Sequence, residues 1–327
     1  MSSQLYPITF APVYKDALWG GTAIAERFRR DYPSSHCAES WEVSVHPAGR
    51  SVIDQGAWQG KTLSEVVKAE GERILGSLCE GGKFPLLIKI IDARERLSVQ
   101  VHPDDDGAAQ FGGEAKTEMW YILEAKPDAE LCAGLVPSVK GPRQFHDAVV
   151  NKTVASLLHT FPSVKGKSLF VPGGLLHAVG EGNLLFEIQQ SSNTTYRVHD
   201  WGRTDSDGRA RELHLKKAME VIRWRGPEAT LLTPIPMKAT GESNRKYRML
   251  RSDYFTLEVL MLKQSETVPL DGSTFHALFV EQGSTQIRWS GGEMILPLGK
   301  SCLVPAQMGN YTLSPLEEDT RVLMVSI

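Results

Sequence analysis

Two stretches of this chain repeat one pattern at one spacing, and few folds can accommodate that. Gly166 to Ala178 reads GKSLFVPGGLLHA, and Gly299 to Tyr311 reads GKSCLVPAQMGNY: Gly-Lys-Ser, two apolar residues, then Val-Pro. An apolar strand that runs each time into a proline turn implies two related halves built from strands. Short period-two segments with Gly and Pro turns recur along the chain, and from Lys246 to Ile327 no helical pattern interrupts them. The fold class predicted is therefore mainly β, with two jelly-roll barrels and a few peripheral helices. The expected division is residues 1–235 as a metal-binding catalytic domain with helical insertions, and 240–327 as a second barrel. The segment RGPEATLLTPIPMKATGES, with its prolines and no clean period, serves as the linker. Under the repeat His177 aligns with Asn310, so the second barrel is expected to lack the metal site.

The chemistry concentrates between Leu97 and Glu118, LSVQVHPDDDGAAQFGGEAKTE, and around His177. In an extended strand alternate side chains share a face, so Gln100 and His102 point one way while Val99 and Val101 point the other. Pro103 ends that strand. The three aspartates at 104–106 read as a loop and the start of a helix. KTEMWYIL resumes as a strand with Lys116, Glu118, Trp120 and Ile122 on one face, and His177 follows a Pro-Gly-Gly turn. A lone strand histidine is most often only hydrogen-bonded in a core. Two imidazoles, a carboxylate and a carboxamide facing inward from apolar strands need a shared partner, because unpaired buried polar groups are costly. A divalent metal satisfies all four. Zn²⁺ suits such a mixed N/O set, and two histidines with one carboxylate also suit non-haem Fe(II), so the ligands alone leave the metal open.

The rest of the chain narrows the function classes. With 36 basic and 39 acidic residues the net charge is −3, which offers no general attraction to nucleic acid or an anionic membrane. Cys37, Cys79, Cys132 and Cys302 are scattered without CxxC pairing and read as reduced thiols of a cytoplasmic protein. MSSQLYPITFAP has no basic-then-apolar signal pattern, and no apolar run approaches a membrane span. Neither a phosphate-binding glycine loop nor a nucleophile signature is present. Helices are expected in TAIAERFRR, capped by Thr22; in TLSEVVKAEGERILGSL, where Thr62 and Glu65 form a capping box and Gly81-Gly82 ends the helix; in QFHDAVVNKTVASLLHTF; and in ELHLKKAMEVIRW. ESWEVSVHPAGRSVI alternates as the start of a hairpin with Trp41, Val43 and Val45 on one face.

Taken together, ALWGG, ESWEVS, FPLLIKIIDA, LSVQVHPDD, KTEMWYIL, VPGGLLHAVGEG and EIQQSSNTTYRVHDWGR resemble the class I mannose-6-phosphate isomerases in their short bacterial form, in order from Trp19 to the C-terminus. The resemblance implies barrels of the cupin type and one Zn²⁺ per chain held by Gln100, His102, Glu118 and His177. It places Lys89, Lys116 and Glu187 in a substrate pocket and makes Arg197 the active-site arginine. It implies interconversion of mannose 6-phosphate and fructose 6-phosphate through a cis-enediol, in a monomer or homodimer whose partner is a small sugar phosphate. One position departs from the pattern, with Asn193 where the family is expected to carry Asp; an amide keeps a hydrogen bond but not the charge. Two other readings stay open at this point: a cupin that binds sugar phosphate without turnover, and an iron-dependent cupin oxygenase.

Overall fold

The computed structural model describes residues 4–32, 36–204, 207–224 and 229–327. The first four residues of the expected linker, 225–228, lie outside them. The chain is mainly β with a few short peripheral helices, arranged as two pairs of sheets. In the first pair a 7-stranded sheet, ordered Leu231–Leu232, Ser168–Val171, Glu118–Ala125, Asn183–Gln190, Leu86–Ala93, Glu39–Ser44, Val13–Lys15, faces a 5-stranded sheet that carries Val99–Val101 and His177–Val179. In the second pair an 8-stranded sheet containing Arg245–Arg251, Thr256–Leu262, Thr320–Ser326, His276–Gln282 and Ser301–Val304 faces a 4-stranded sheet. The 8-stranded sheet is completed by the N-terminal strand Ile8–Ala11, where Ile8 pairs with Leu303. The two ends of the chain are thereby joined in one sheet.

The internal repeat is structural. Gly166 and Gly299 both take positive φ, 79° and 71°. The Gly166 N–H donates to Ile122 O and the Gly299 N–H to Val280 O, each at 2.8 Å. Ser168 then pairs with Tyr121, and Ser301 with Phe279.

The apolar pattern fills one large core between the two sheet pairs, including Phe28, Phe84, Phe186, Phe275 and Phe279. Phe279 stacks on Phe186 with ring centroids 5.0 Å apart. Such contacts supply the apolar burial that holds the halves together. The four cysteines are all unpaired, and among the described residues no helix is long and apolar enough to cross a membrane.

Several local expectations change. The helix opened by Thr62 has its capping box, but it stops at Gly71, whose φ of 51° and ψ of −120° are not helical, and a separate turn runs from Glu72 to Leu75. Thr22 stands at the N-cap of Ala23–Phe28 without capping it; its hydroxyl bonds Glu26, and Asp92 from the neighbouring sheet accepts from the Ala23 N–H at 2.6 Å. QFHDAVVNKTVASLLHTF is helical only to Val150, then passes through a 3-10 turn into the strand Leu158–Pro162. In ELHLKKAMEVIRW the helix is Leu215–Val221. Glu39–Ser44 does not form a hairpin with Val52–Ile53; it pairs with Val13–Lys15 and Leu86–Ala93. A register shift between Trp41 and Val43 sends Trp41 toward the cavity of the first sheet pair and Val43 into the core. Alternation cannot reveal such a bulge, because an inserted residue flips every side chain after it.

One turn positions the site directly. After Val171, Pro-Gly-Gly reverses the chain, and the Gly174 N–H donates to His102 O at 2.7 Å. Gly173 passes so close to Asp104 that a Cβ there would lie 2.7 Å from its backbone nitrogen. Gly173→Ala is therefore expected to destabilise the protein by about 1–3 kcal/mol through overpacking against backbone, read as a lower urea midpoint. Gly60→Ala, with nothing within 4 Å of the added carbon but a φ of +82°, provides the comparison for backbone strain alone.

Candidate metal centre and cavity

Where the 7-stranded sheet faces the 5-stranded sheet, His102, Glu118 and His177 come together, with one ligand-type atom from each within 4.8 Å of the others. His177 lies on a strand of the smaller sheet, His102 directly follows that sheet's strand Val99–Val101 and Glu118 opens a strand of the larger, so only the closure of the two sheets assembles the cluster. All three side chains are buried. His102 Nδ1–H donates to Thr194 O at 2.7 Å and His177 Nδ1–H to Leu175 O at 2.8 Å. A carbonyl oxygen can only accept, so both Nδ1 atoms carry the proton and both Nε2 atoms present lone pairs to the cluster. These lone pairs lie 3.5 Å and 3.4 Å from the Glu118 carboxylate. Burial pushes both imidazoles down, His102 well below its ordinary range and His177 to about 4, which keeps them neutral. Two lone pairs and a carboxylate converging in a dry interior fit a cation, and backbone carbonyls that fix the ring tautomers are the usual outer support of such a centre.

Gln100 stands beside the cluster in register with His177. Its amide NH₂ lies 3.4 Å from His177 Nε2, and its oxygen accepts from the Ser98 hydroxyl at 3.0 Å. A half-turn of the terminal amide exchanges the two atoms and directs the oxygen to the cluster.

Above the cluster opens a cavity of about 450 Å³ whose walls include Lys89, Gln100, Lys116, Glu118, Glu187 and Arg197. Lys116 Nζ is 2.7 Å from Glu118, 3.3 Å from Glu187 and 3.2 Å from His102 Nε2. Lys89 Nζ lies 3.3 Å from Glu187 and 3.3 Å from Glu39. Burial lowers the Lys89 pKa, but the carboxylates of Glu187 and Glu39 outweigh it and hold the amine above its ordinary value, so it stays charged. Burial raises Glu187, and the nearby Glu118 adds to that. The Glu187 oxygen Oε1 has the Lys116 ammonium 3.3 Å away as an ion pair, without a well-aligned hydrogen bond.

Arg197 lies on Tyr196–His199, paired across from Gln100. Its guanidinium donates to Glu212 O at 2.9 Å, while its buried Nε has no partner. Asn193 lines the same cavity, and its backbone N–H donates to Glu114 at 2.8 Å. The anchor of Arg197 is thus a backbone carbonyl, which the Asp-to-Asn difference leaves in place.

The eight residues singled out in the sequence, Gln100, His102, Glu118, His177, Lys89, Lys116, Glu187 and Arg197, therefore meet in one region. The aspartates 104–106 stand outside the cluster: Asp104 caps the helix Asp105–Phe111, accepting from the Gly107 N–H at 2.7 Å. Further polar residues of the cavity, among them Glu39, Lys15, Arg211 and His214, were not legible. Glu39 accepts from Trp41 Nε1 at 2.6 Å and holds Lys89. The signal for it was ESWEVS read against FPLLIKIIDA, which are adjacent strands. Lys15, Arg211 and His214 reach the cavity from loops and strand ends, and no periodicity marks such positions. Arg211 is fixed by Asp200 of HDWGR, with Nε 2.8 Å from Oδ2.

The type I phosphomannose isomerase catalytic-domain model matches residues 8–137, and the mannose-6-phosphate isomerase cupin-domain model matches residues 245–318. The chain is 37% identical over 323 residues to the probable mannose-6-phosphate isomerase GmuF of Bacillus subtilis, covering 98% of this chain and 99% of that protein. It is 36% identical over 321 residues to the mannose-6-phosphate isomerase ManA of the same organism, covering 95% and 97%. The crystal structure of a mannose 6-phosphate isomerase from Bacillus subtilis superposes with a TM-score of 0.89 at 32% identity, covering 98% of this chain and 99% of that one.

The charges on the cavity floor set a stability test. Lys89→Ala leaves Glu187 and Glu39 facing each other without their shared cation, and should cost about 3 kcal/mol by urea unfolding at pH 7. The double variant Lys89→Met with Glu39→Gln should recover part of that loss.

Proposed function

The chain belongs to the type I mannose-6-phosphate isomerase family, and from that membership we infer that it interconverts mannose 6-phosphate and fructose 6-phosphate. The observation that carries the reading is the buried His102, Glu118 and His177 cluster at the base of a cavity lined with paired lysines and carboxylates. We assign each pair of sheets to a closed cupin jelly roll, with residues 1–235 the catalytic unit and 240–327 the second. The metal is Zn²⁺, with Gln100 turning its amide oxygen to complete the ligand set; mixed nitrogen and oxygen donors with neutral imidazoles favour it. When bound, Zn²⁺ supplies Lewis-acid polarisation of the sugar oxygens near C1 and C2.

The chain's own groups account for the proton movements. Glu187 is the base: it stands in the cavity wall with the Lys116 ammonium 3.3 Å from its Oε1, and burial raises its pKa above the ordinary carboxylate value, which favours taking up a proton. It removes the proton from C2 of the open-chain aldose and delivers it to C1 of the cis-enediol. The hydroxyl proton moves from O2 to O1, and Lys116, in contact with Glu187, stands ready to relay it. Lys89 holds Glu187 in place from its other side. Arg197, with an unpartnered Nε, offers donors to the negative charge that develops on the enediolate oxygens. The phosphate lies toward Arg211, His214 and Lys15, the cationic and polar groups of the cavity wall away from the floor.

Three outcomes test this reading. Purified protein should convert fructose 6-phosphate to mannose 6-phosphate, lose activity on chelation and regain it with zinc; failure to turn over in any metal would sink the isomerase assignment. His102→Ala and His177→Ala should each lose stoichiometric zinc by elemental analysis, and full occupancy in both would remove them as ligands. Glu187→Gln should lower kcat by about 10²–10⁴, with zinc content unchanged.

A further inference from the structure

A cavity of about 680 Å³, larger than the one above the metal cluster, opens beside the 8-stranded sheet of the second pair, with Leu78, Cys79, Pro85, Leu86 and Gln190 of the first half on its other wall. Its position in the fold follows from strand pairing. Starting from the repeat, Ser168 corresponds to Ser301, and Glu118, paired with Val171, corresponds to His276, paired with Val304. One strand further, Trp120 pairs with Glu187 as Leu278 pairs with Met324. Next, Glu187 pairs with Lys89 as Met324 pairs with Glu258. Finally, Lys89 pairs with Trp41 as Glu258 pairs with Arg248. His276, Met324, Glu258 and Arg248 all line the second cavity, so it occupies the same place in its half that the catalytic cavity occupies in the other.

What the second half keeps there is polar. His276 is 8% exposed, and its Nδ1 lies 2.8 Å from the Tyr311 hydroxyl. Burial, with Lys246 nearby, lowers its pKa to about 4, so the ring is neutral and exchanges hydrogen bonds with hydroxyl groups. Glu258, also 8% exposed, is held by Lys246 at 2.7 Å and Arg248 at 3.3 Å. The Arg248 Nε is buried without a partner. Arg251 at the rim is exposed, with Ser252 and Asp253 beside it. A buried guanidinium nitrogen without a partner beside a cavity is the kind of group that a ligand satisfies. Among the described residues, the His-Glu-His cluster of the first half has no counterpart here.

We propose that this cavity is a second, non-catalytic binding site for a sugar phosphate, with hydroxyls received by His276 and Glu258 and the phosphate by Arg248 and Arg251. The cavity also reaches the catalytic half. Gln190 lines it, and the Gln190 amide oxygen accepts from the Thr117 N–H at 2.7 Å, between Lys116 and Glu118. Tyr254, on the same wall, bonds Asp105 through its hydroxyl, and Gln190 bonds that same carboxylate at 3.3 Å. The wall of the second cavity is thus hydrogen-bonded to the segment that carries Lys116 and Glu118.

Equilibrium dialysis of the zinc-loaded full chain with radiolabelled fructose 6-phosphate should give two bound molecules per chain. Arg251→Glu, an exposed substitution, should reduce this to one and weaken the lost site at least tenfold, with kcat at saturating substrate within about twofold of the wild type. Ser252→Trp, which fills the mouth, should do the same. A stoichiometry of one in the wild type, unchanged in both variants, would overturn the inference even if turnover is normal. Binding that both variants abolish in a protein without turnover would support it while the isomerase reading failed.

Discussion

The buried charge cluster between the two sheets of the first pair is the constraint on which the site depends. Lys89, Lys116, Glu118 and Glu187 are each no more than 5% exposed, and charges taken that far from water persist only when they neutralise one another or a metal. Each amine bridges two carboxylates, and each carboxylate receives at least one amine. The apolar strands that flank them exclude water, which strengthens every electrostatic contact inside. That makes the arrangement costly to disturb and suited to stabilising charge that appears only during a reaction.

Support for the cluster comes from backbone carbonyls, one remote in sequence and one close by. Thr194 O and Leu175 O set the tautomers of the two histidines. The segment holding Thr194 is in turn fastened to Glu114, through the Asn193 N–H at 2.8 Å, the Ser192 hydroxyl at 3.1 Å and the Glu114 N–H to the Thr194 hydroxyl at 2.9 Å. His46, 3.2 Å from the Glu114 carboxylate, ties in a third loop. Loops on the rim thus fix the orientation of side chains on strands below, an arrangement that keeps a site rigid without further regular structure.

The two halves share one strand plan and have diverged in chemistry. At corresponding positions Glu118 is replaced by His276, Lys89 by Glu258 and Glu187 by Met324, so the charge pattern is changed while the backbone frame persists. The apolar interface of Phe28, Phe186 and Phe279 joins the halves, and the strand Ile8–Ala11 ties the start of the chain into the second.

Residue type and alternation by themselves determined the strands that carry the site, the face shared by Gln100 and His102, the face shared by Lys116, Glu118 and Trp120, and the relation between the halves. Those are local properties, set by the period of two and by glycines and prolines at turns. Tertiary structure decided the rest. The bulge that separates Trp41 from Val43, the break at Gly71, the capping of a helix by Asp92 from another strand, and the presence of Glu39, Arg211 and His214 in the cavity each depend on a partner distant along the chain. A sequence records a residue's own preferences; which carbonyl, carboxylate or backbone it will meet is fixed only when the sheets close, because that meeting is what satisfies the buried polar groups.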